Sequence, residues 1–534
     1  RIFNQFPILY LGAAVYHPAM QNNIGRFITK RAELNPNTEA IVDIASGTRM
    51  TYPELNVRVN KAGNALTDGG LNPGDRVATL LMNSPEFLET FFGAAKVGGV
   101  IVALNWRLVA DELSFILTDS GASVMVFDSA FTQVVSELYQ RGTDGTLVTR
   151  WIHVGDGADR PDFAEGYEDI LGAASNHEPD AQTGDDDLLF IMYTSGTTGL
   201  PKGVMHSHNT ALWSVITANT TADTRYDDRY LICLPLFHVG ALNPMLSIAN
   251  LGGTAVIMSE FDPVRIWEIF QEEKVTVTLA VPAMLQFMLL TYDAENHDIS
   301  TLRWVMSGAA PVPETLIKTY EAMGIEIHQV YGLTESCGPG CLIAPQDALQ
   351  RAGSTGKAFF YGDVRIVNEA GDDCAPNEPG EVLLSGPNMM LGYWNRPEAT
   401  AEALVDGWLV TGDVAIFDED GFVYIQDRIK DMIISGGENV YPAEIENVML
   451  AMAGVNEVAV IGISSEKWGE SPLAVVVRAD DSISAEAVLE FTDGKLARFK
   501  QPKAVEFVDA IPRNPTGKVL KRVLRDQFDS AATE

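Results

Sequence analysis

Between residues 77 and 330, short apolar runs alternate with stretches of helical spacing, and run after run ends in small or polar residues. Residues 77–81, 100–103, 122–127, 188–192, 229–234, 252–258, 275–280, 302–307 and 325–330 read as strands, with helices over 53–66, 85–96, 111–120, 209–219 and 263–272. Strand, helix and strand joined by short connections predict an α/β domain with parallel strands. In open parallel sheets ligands bind beyond the carboxyl ends of the strands, where these small and polar segments fall.

One of those strand ends concentrates the chemistry. After the apolar run 188–192 the chain reads YTSGTTGLPKG over residues 193–203. Gly196 and Gly199 allow backbone angles that other residues resist, so successive amide N–H groups can converge on one anion. Thr194, Ser195, Thr197 and Thr198 add hydroxyl donors, and Lys202 adds a mobile positive charge. This is the chemistry of a loop that grips a polyphosphate. It is not the common nucleotide loop, because Lys202 is preceded by Pro201 and followed by Gly203, where a Gly-Lys-Ser/Thr ending is required. By composition alone, a Gly/Thr-rich surface turn is an equal alternative.

A chain of 534 residues exceeds what one hydrophobic core serves, so at least two domains are expected. Beyond residue 356 the strands shorten (363–367, 381–384, 421–425), which suggests a β-rich subdomain. Residues 157–187, rich in Asp, Gly and Glu, read as a surface excursion. From residue 431 a compact run of helices (441–450, 484–496, 520–528) and strands (455–461, 473–477, 504–507) reads as a separate small domain. A net charge of −35, from 72 acidic against 37 basic residues, repels nucleic acid and anionic membrane and promotes solubility. A salty habitat and a merely acidic surface fit it equally.

Cys233, Cys337, Cys341 and Cys374 make neither a disulfide framework nor a paired C-x-x-C metal knuckle. Free thiols in a reducing, cytoplasmic compartment are expected. No apolar run reaches membrane-span length; the stretch 91–104 is interrupted by Lys96 and glycines and reads as buried helix and strand. The opening residues are apolar but show no signal-peptide cleavage pattern, and the numbering starts at Arg1 where a Met would be expected.

YTSGTTGLPKG resembles the phosphate loop of the adenylate-forming superfamily, which contains acyl-CoA synthetases, aryl-CoA ligases, peptide-synthetase adenylation domains and beetle luciferases. Further motifs come in that family's order: YGLTE at 331–335, WLVTGD at 408–413, DRIKDMIISGGENVYPAEIE at 427–446 and PRNPTGKV at 512–519. The resemblance spans nearly the whole chain. It implies a large N-terminal adenylate-forming domain (1–429) of parallel-rich sheets with helices and a small β-rich subdomain. A small mobile α+β C-terminal domain (430–534) would follow. The implied reaction is AMP-forming: ATP and a carboxylic acid give acyl-adenylate and pyrophosphate, and the thiol of coenzyme A then gives acyl-CoA and AMP. ATP, Mg²⁺ and coenzyme A are thus the expected cofactors and co-substrates, and so acidic a chain must gather local cations to hold them.

The resemblance also distributes roles. Thr194, Ser195, Gly196, Thr197, Thr198, Gly199 and Lys202 would hold the β and γ phosphates. Glu335 would ligate the Mg²⁺ that bridges them, a hard cation preferring carboxylate oxygen. Thr334 would reach the α-phosphate, and Tyr331 with Gly332 would lie near adenine, beside the small-residue loop Gly308, Ala309 and Ala310. Asp413 would accept from the two ribose hydroxyls, helped by Arg428. Lys518 would bridge carboxylate and α-phosphate in the adenylation transition state. Lys430 falls at the hinge, where many relatives have Asp. Rotation there would bring Gly436 and Gly437 against the pantetheine arm. His238 would gate the acyl tunnel and position substrate and thiol.

An acyl pocket is expected from Val239, Gly240, Asn243, Val281 and Gly308, with Gly332 and residues 339–341 on another wall. These small, neutral residues favour an uncharged tail, medium- or long-chain fatty or arylalkyl. The alternatives are an enzyme loading a carrier protein, an aryl-CoA ligase of the coumarate or benzoate kind, a luciferase-type oxygenase and a catalytically dead binding protein. No carrier domain is visible in the sequence, which favours free coenzyme A. Family members are often dimeric, which leaves a homodimer open.

Overall fold

The computed structural model describes residues 22–180, 183–194, 200–309, 312–428, 431–435, 438–465, 468–479, 483–513 (except 494, 497 and 499) and 519–528. Two large sheets form its body. In the nine-stranded sheet, Glu326–Tyr331, Trp304–Gly308, Val277–Leu279, Arg229–Ile232, Thr254–Ile257 and Glu39–Asp43 are successive parallel neighbours, and antiparallel strands close both ends. In the eight-stranded sheet, Leu188–Thr194, Val100–Ala103, Arg76–Leu80, Val124–Asp128, Arg150–Val154 and Glu165–Gly166 run parallel. Lys202–Ser207 and then Gly392–Tyr393 extend this sheet antiparallel.

The apolar runs form these strands because both faces are covered. Val100–Ala103, Thr254–Ile257 and Trp304–Gly308 are buried at every residue. The helix Pro85–Val97 shows how local signals set the elements. Ser84 Oγ accepts from Phe87 N, Pro85 occupies the first turn where its missing N–H is not needed, and Gly98 ends the helix at φ 79°. This helix crosses Tyr52–Asp68 at a glycine pair. A Cβ on Gly93 would stand 2.8 Å from Gly63 N, and one on Gly63 would stand 2.8 Å from Gly93 O. Lys96, near its end, is wholly buried; its ammonium donates to Thr29, Asn56, Asn60 and Glu178 and so ties three helical segments together.

Each strand expected between residues 77 and 330 is present, but some elements differ from the sequence reading. After the strand expected over 229–234, where the sequence predicts no helix before 263–272, the chain turns into the helix Val239–Leu251 with Pro244 inside it. The stretch 157–187, read as a surface excursion, holds the strand Glu165–Gly166 and the helix Tyr167–Ala173.

A third sheet is wholly antiparallel: Asp363–Val367, Gly380–Ser385, Trp408–Phe417, Leu404–Val405 and Val423–Arg428. This is the β-rich unit, with its own core of Ile366, Val382, Leu384, Leu409, Ala415 and Val423. The small C-terminal unit carries the fourth sheet, built on Val455–Ser465 and Gly469–Arg478. Strand alternation gives it two apolar faces. Val458, Val460, Ala474 and Val476 pack with Ile445, Met449 and Val488, while Ala459, Ile461, Leu473 and Val475 pack with Leu524. No helix among the described residues is long and apolar enough to cross a membrane.

Candidate active site

The strand Leu188–Thr194 leads into the Gly/Thr-rich loop, and Lys202–Ser207 leads out, with Thr194 directly opposite Lys202. Residues 195–199, which include Ser195, Gly196, Thr197, Thr198 and Gly199, lie outside the described residues. The base of the loop is fastened by one carboxylate. Asp119 Oδ2 accepts from the Tyr193 hydroxyl at 2.7 Å and Oδ1 from Arg396 at 2.9 Å, while the Asp119 carbonyl accepts from Trp394 Nε1 at 2.9 Å. Burial and the Asp119 charge push the Tyr193 phenol up, so it remains a donor. Gly203 is required here, since a Cβ would lie 2.7 Å from Ile191 and 3.0 Å from the Tyr193 ring.

The YGLTE segment leaves the carboxyl end of Glu326–Tyr331 and folds back on itself. A Cβ on Gly332 would stand 1.5 Å from Gly338 O, so only glycine lets the chain return this closely. A short 3₁₀ turn, Thr334–Ser336, follows and ends at Cys337 with φ 55°. Its carbonyls are taken one after another. Thr334 O accepts from His206 Nε2 (2.7 Å), Glu335 O from Met390 N (2.8 Å), and Ser336 O from Asn388 Nδ2 (2.7 Å). Cys337 O accepts from Ser214 Oγ (2.7 Å) and Pro339 O from Asn388 Nδ2 (3.2 Å). A turn held this way presents Glu335 on a rigid support.

Glu335 is half-buried, and its Oε1 accepts from the Tyr393 hydroxyl at 2.8 Å. Among the described residues no other hydrogen bond reaches the carboxylate, so Oε2 remains for a ligand. No group of three or more His, Cys, Asp or Glu among the described residues could hold a metal alone. A divalent cation fits this donor set only by sharing Glu335 with oxygens of a bound phosphate, the way Mg²⁺ is commonly held.

Asp413 is buried in Trp408–Phe417, and its Oδ2 accepts from the Tyr331 hydroxyl at 2.7 Å. Burial, and next the Asp413 charge, hold the Tyr331 phenol well above its ordinary value. Tyr331 therefore joins the YGLTE turn to the β-rich unit, besides the adenine contact expected of it. The backbone of Arg428 stands opposite that of Asp413 in the register of Trp408–Phe417 with Val423–Arg428. Beside them Glu381 accepts from Gly412 N at 3.1 Å, and burial raises its carboxyl pKa.

At the end of Trp304–Gly308, Gly308 is buried, and a Cβ there would lie 2.3 Å from Val330 O. Close strand packing is thus a reason for this glycine independent of any base. Ala309 follows, exposed, at φ 67°, a conformation L side chains rarely adopt and one that clusters at ligand sites. Across the sheet ends, Gly338 faces Val239 and Asn243, each 3.5 Å from a Cβ built on it. The Asn243 amide donates to Ser214 Oγ and to Cys337 O, and its carbonyl accepts from Ser247. Behind the helix Val239–Leu251 a tight seam, without room for a water molecule, is lined by Leu231, Leu234, Gly240, Ala241, Pro244 and Leu279. Cys341, expected on the pocket wall, is instead packed into the core of the β-rich unit. All four cysteines are free and buried, and burial pushes the thiols of Cys337 and Cys341 up to about 12.

His238 immediately precedes the helix Val239–Leu251, with its ring 4.4 Å from that of Phe237. Its buried Nε2 has no hydrogen-bond partner among the described residues. Burial, and then the positive charge of Arg107, lower its pKa to about 3. It is a neutral imidazole at physiological pH and a weak base. Ala310, Lys430, Gly436, Gly437 and Lys518 lie outside the described residues.

The structure therefore brings Thr194, Lys202, Tyr331, Gly332, Thr334, Glu335 and Asp413 to one end of the sheets, next to the β-rich unit. Sequence reasoning missed the groups that hold them: Asp119, His206, Ser214, Asn388 and Tyr393. Of these only Tyr393 left a trace, as an aromatic residue in the GYWNRP stretch.

A Gly/Thr-rich loop and an acidic turn that leave strands of the two large sheets, a buried aspartate from the antiparallel third sheet, and a small α+β unit after them are the arrangement expected of an adenylate-forming class of enzyme. A family model for the AMP-binding enzyme matches residues 28–394, and one for the AMP-binding enzyme C-terminal domain matches residues 444–518. The chain is 45% identical over 510 residues to a long-chain-fatty-acid–CoA ligase of Mycobacterium tuberculosis, covering 95% of this chain and 99% of that one. To a feruloyl-CoA synthase of an Amycolatopsis species it is 41% identical over 509 residues, again covering 95% and 99%. The crystal structure of ATP-bound MatB from Rhodopseudomonas palustris superposes with a TM-score of 0.87 at 32% identity, covering 96% and 100%. The chain belongs to the AMP-binding, adenylate-forming superfamily of acyl-CoA synthetases and is an AMP-forming acid–thiol ligase.

Proposed function

We propose that the enzyme activates an uncharged-tail monocarboxylic acid, medium- to long-chain fatty or arylalkyl, and transfers it to free coenzyme A. The observation that carries this is the wall around Gly338. Val239 is apolar, and the amide beside it, Asn243, has its N–H₂ and carbonyl engaged by Ser214, Cys337 and Ser247. Among the described residues, neither Val239 nor Asn243 has a group left to pair with a second carboxylate or an ammonium group, and burying such a charge unpaired is costly. The similarity to both a fatty-acid–CoA ligase and a feruloyl-CoA synthase supports a pocket that takes either chain or ring.

The chemistry follows from the residues. In the first step a carboxylate oxygen attacks the α-phosphorus of ATP, the bond to the β-phosphate oxygen breaks, and pyrophosphate leaves. Lys202 and the loop 194–202 would hold the leaving phosphates. Glu335 would hold Mg²⁺, which, when bound, neutralises phosphate charge. Asp413 would fix the ribose, and Lys518 would meet the charge developing between acid and α-phosphate. In the second step the coenzyme A thiol loses its proton to solvent as its sulfur attacks the acyl carbon, the bond to AMP breaks, and AMP leaves. A neutral His238 would orient thiol and acyl group there, since its low basicity makes it a poor acceptor for the thiol proton. We place the boundary between the large domain (1–429) and the mobile domain (430–534) at Lys430, the proposed hinge between the steps.

A pyrophosphate-release screen over acetate, octanoate, palmitate, ferulate and 2-succinylbenzoate, with and without coenzyme A, tests the reading. Octanoate, palmitate or ferulate should turn over best, with AMP and acyl-CoA as products. Efficient turnover of acetate or the dicarboxylate alone would contradict it, as would adenylation without release of acyl-CoA when coenzyme A is supplied.

A further inference from the structure

Tyr393 touches both charged groups on which ATP binding depends. Its strand, Gly392–Tyr393, is locked to Lys202–Ser207: Tyr393 lies opposite Val204, Leu391 N donates to Met205 O at 2.9 Å, and Trp394 N donates to Gly203 O at 2.7 Å. The backbone of Tyr393 is therefore fixed relative to the strand that begins with Lys202. Its side chain then serves two partners with different parts. The hydroxyl donates to Glu335 Oε1 at 2.8 Å, and the ring lies under Lys202 Nζ, 4.9 Å from its centroid.

Lys202 and Glu335 are opposite charges gathered at one ring, and among the described residues neither forms an ion pair. A direct pair between them would be the competing state of an empty site. It would neutralise the cation meant for phosphate and the carboxylate meant for metal. An aromatic ring avoids this, because its negative face attracts the ammonium while its hydroxyl orients the carboxylate, and neither charge is cancelled. The hydroxyl also fixes the rotation of a carboxylate whose other oxygen stays open.

We propose that Tyr393 is a positioning residue of the adenylation step, which holds Lys202 and Glu335 apart and aimed at the phosphate site. The inference rests on the ATP–Mg²⁺ reading of that site and adds to it a residue acting through both ligands.

Calorimetric binding of ATP to the full chain, in EDTA and in Mg²⁺, tests it without turnover. Tyr393→Phe keeps the ring and loses the hydroxyl. It should leave binding in EDTA within about twofold and cut the strengthening by Mg²⁺ about tenfold, as loss of a group that orients a metal ligand does. Tyr393→Leu also removes the face under Lys202 and should weaken binding in EDTA about threefold or more. In a Glu335→Gln background, Tyr393→Phe should add no further loss of Mg²⁺ response. Either variant decides alone, with its melting curve as the control for folding. A wild-type Mg²⁺ response in Tyr393→Phe, wild-type binding in EDTA by Tyr393→Leu, or an undiminished effect in the Glu335→Gln background overturns the proposal. Wild-type protein that binds no ATP in either buffer overturns the ATP-site reading and the inference with it.

Discussion

His206, His208 and His238 are each kept neutral by burial, with pKa values lowered to about 4, 4 and 3, and His153 and His328 are shifted in the same direction. In the unfolded chain these rings titrate near the ordinary value of 6.5. Between that value and about 4 the unfolded state therefore binds more protons than the folded state, and stability falls as pH falls through this window. Relief of repulsion among the acidic groups acts the other way on melting temperature, so proton uptake is the cleaner readout. Unfolding at pH 5.5 should take up at least about three protons, and at pH 8 almost none from these groups. Calorimetry in buffers of different ionisation enthalpy measures this; no uptake at pH 5.5 would contradict the burial argument. At this scale the sequence offered the groups proposed to face the ligand, because Glu335 and Asp413 sit in contiguous motifs. It did not show the groups that hold them. His206 reaches Thr334 across 128 positions and Tyr393 reaches Glu335 across 58, distances over which a local pattern carries no signal.

The strands were legible because a strand buried on both faces is a continuous apolar run ending where the sheet ends. Helices with unusual interiors were not. Val239–Leu251 contains Pro244 and begins at a glycine-bearing turn, both signals that favour a loop, and tertiary packing over the sheet overrides them. Lys96 was legible only as a break in an apolar stretch, although the fold buries it completely and surrounds it with partners. The glycine pair Gly63/Gly93 sets how closely Tyr52–Asp68 and Pro85–Val97 approach. Gly93→Ala would gain helix propensity, but its methyl would meet backbone atoms of the other helix, Gly63 N at 2.8 Å and Val59 O at 3.0 Å. The net effect should be a loss of about 1–3 kcal/mol, measured as a lower urea midpoint with an unchanged slope. An unchanged or raised midpoint would show that the helices can separate at little cost.

On the scale of the whole molecule, a net charge of −35 sets the condition the site must meet: two polyanions, ATP and coenzyme A, have to be drawn to a strongly negative protein. The described site offers Lys202 for this, and the proposed mechanism adds Lys518, at which the match to the AMP-binding C-terminal domain ends. That the tail forms a compact α+β unit was readable from its strand and helix spacing, whereas its working position was not, since the proposed mechanism gives it a different position in each half-reaction. The account turns on Lys518 acting in one of these and not the other. The direct measurement is Lys518→Ala assayed twice: pyrophosphate release from ATP and octanoate, and acyl-CoA formation from supplied octanoyl-adenylate and coenzyme A. Loss of a group that stabilises transition-state charge should slow the first about a hundredfold or more and the second only a few-fold. Equal loss in both would contradict the division of labour on which the proposed mechanism stands.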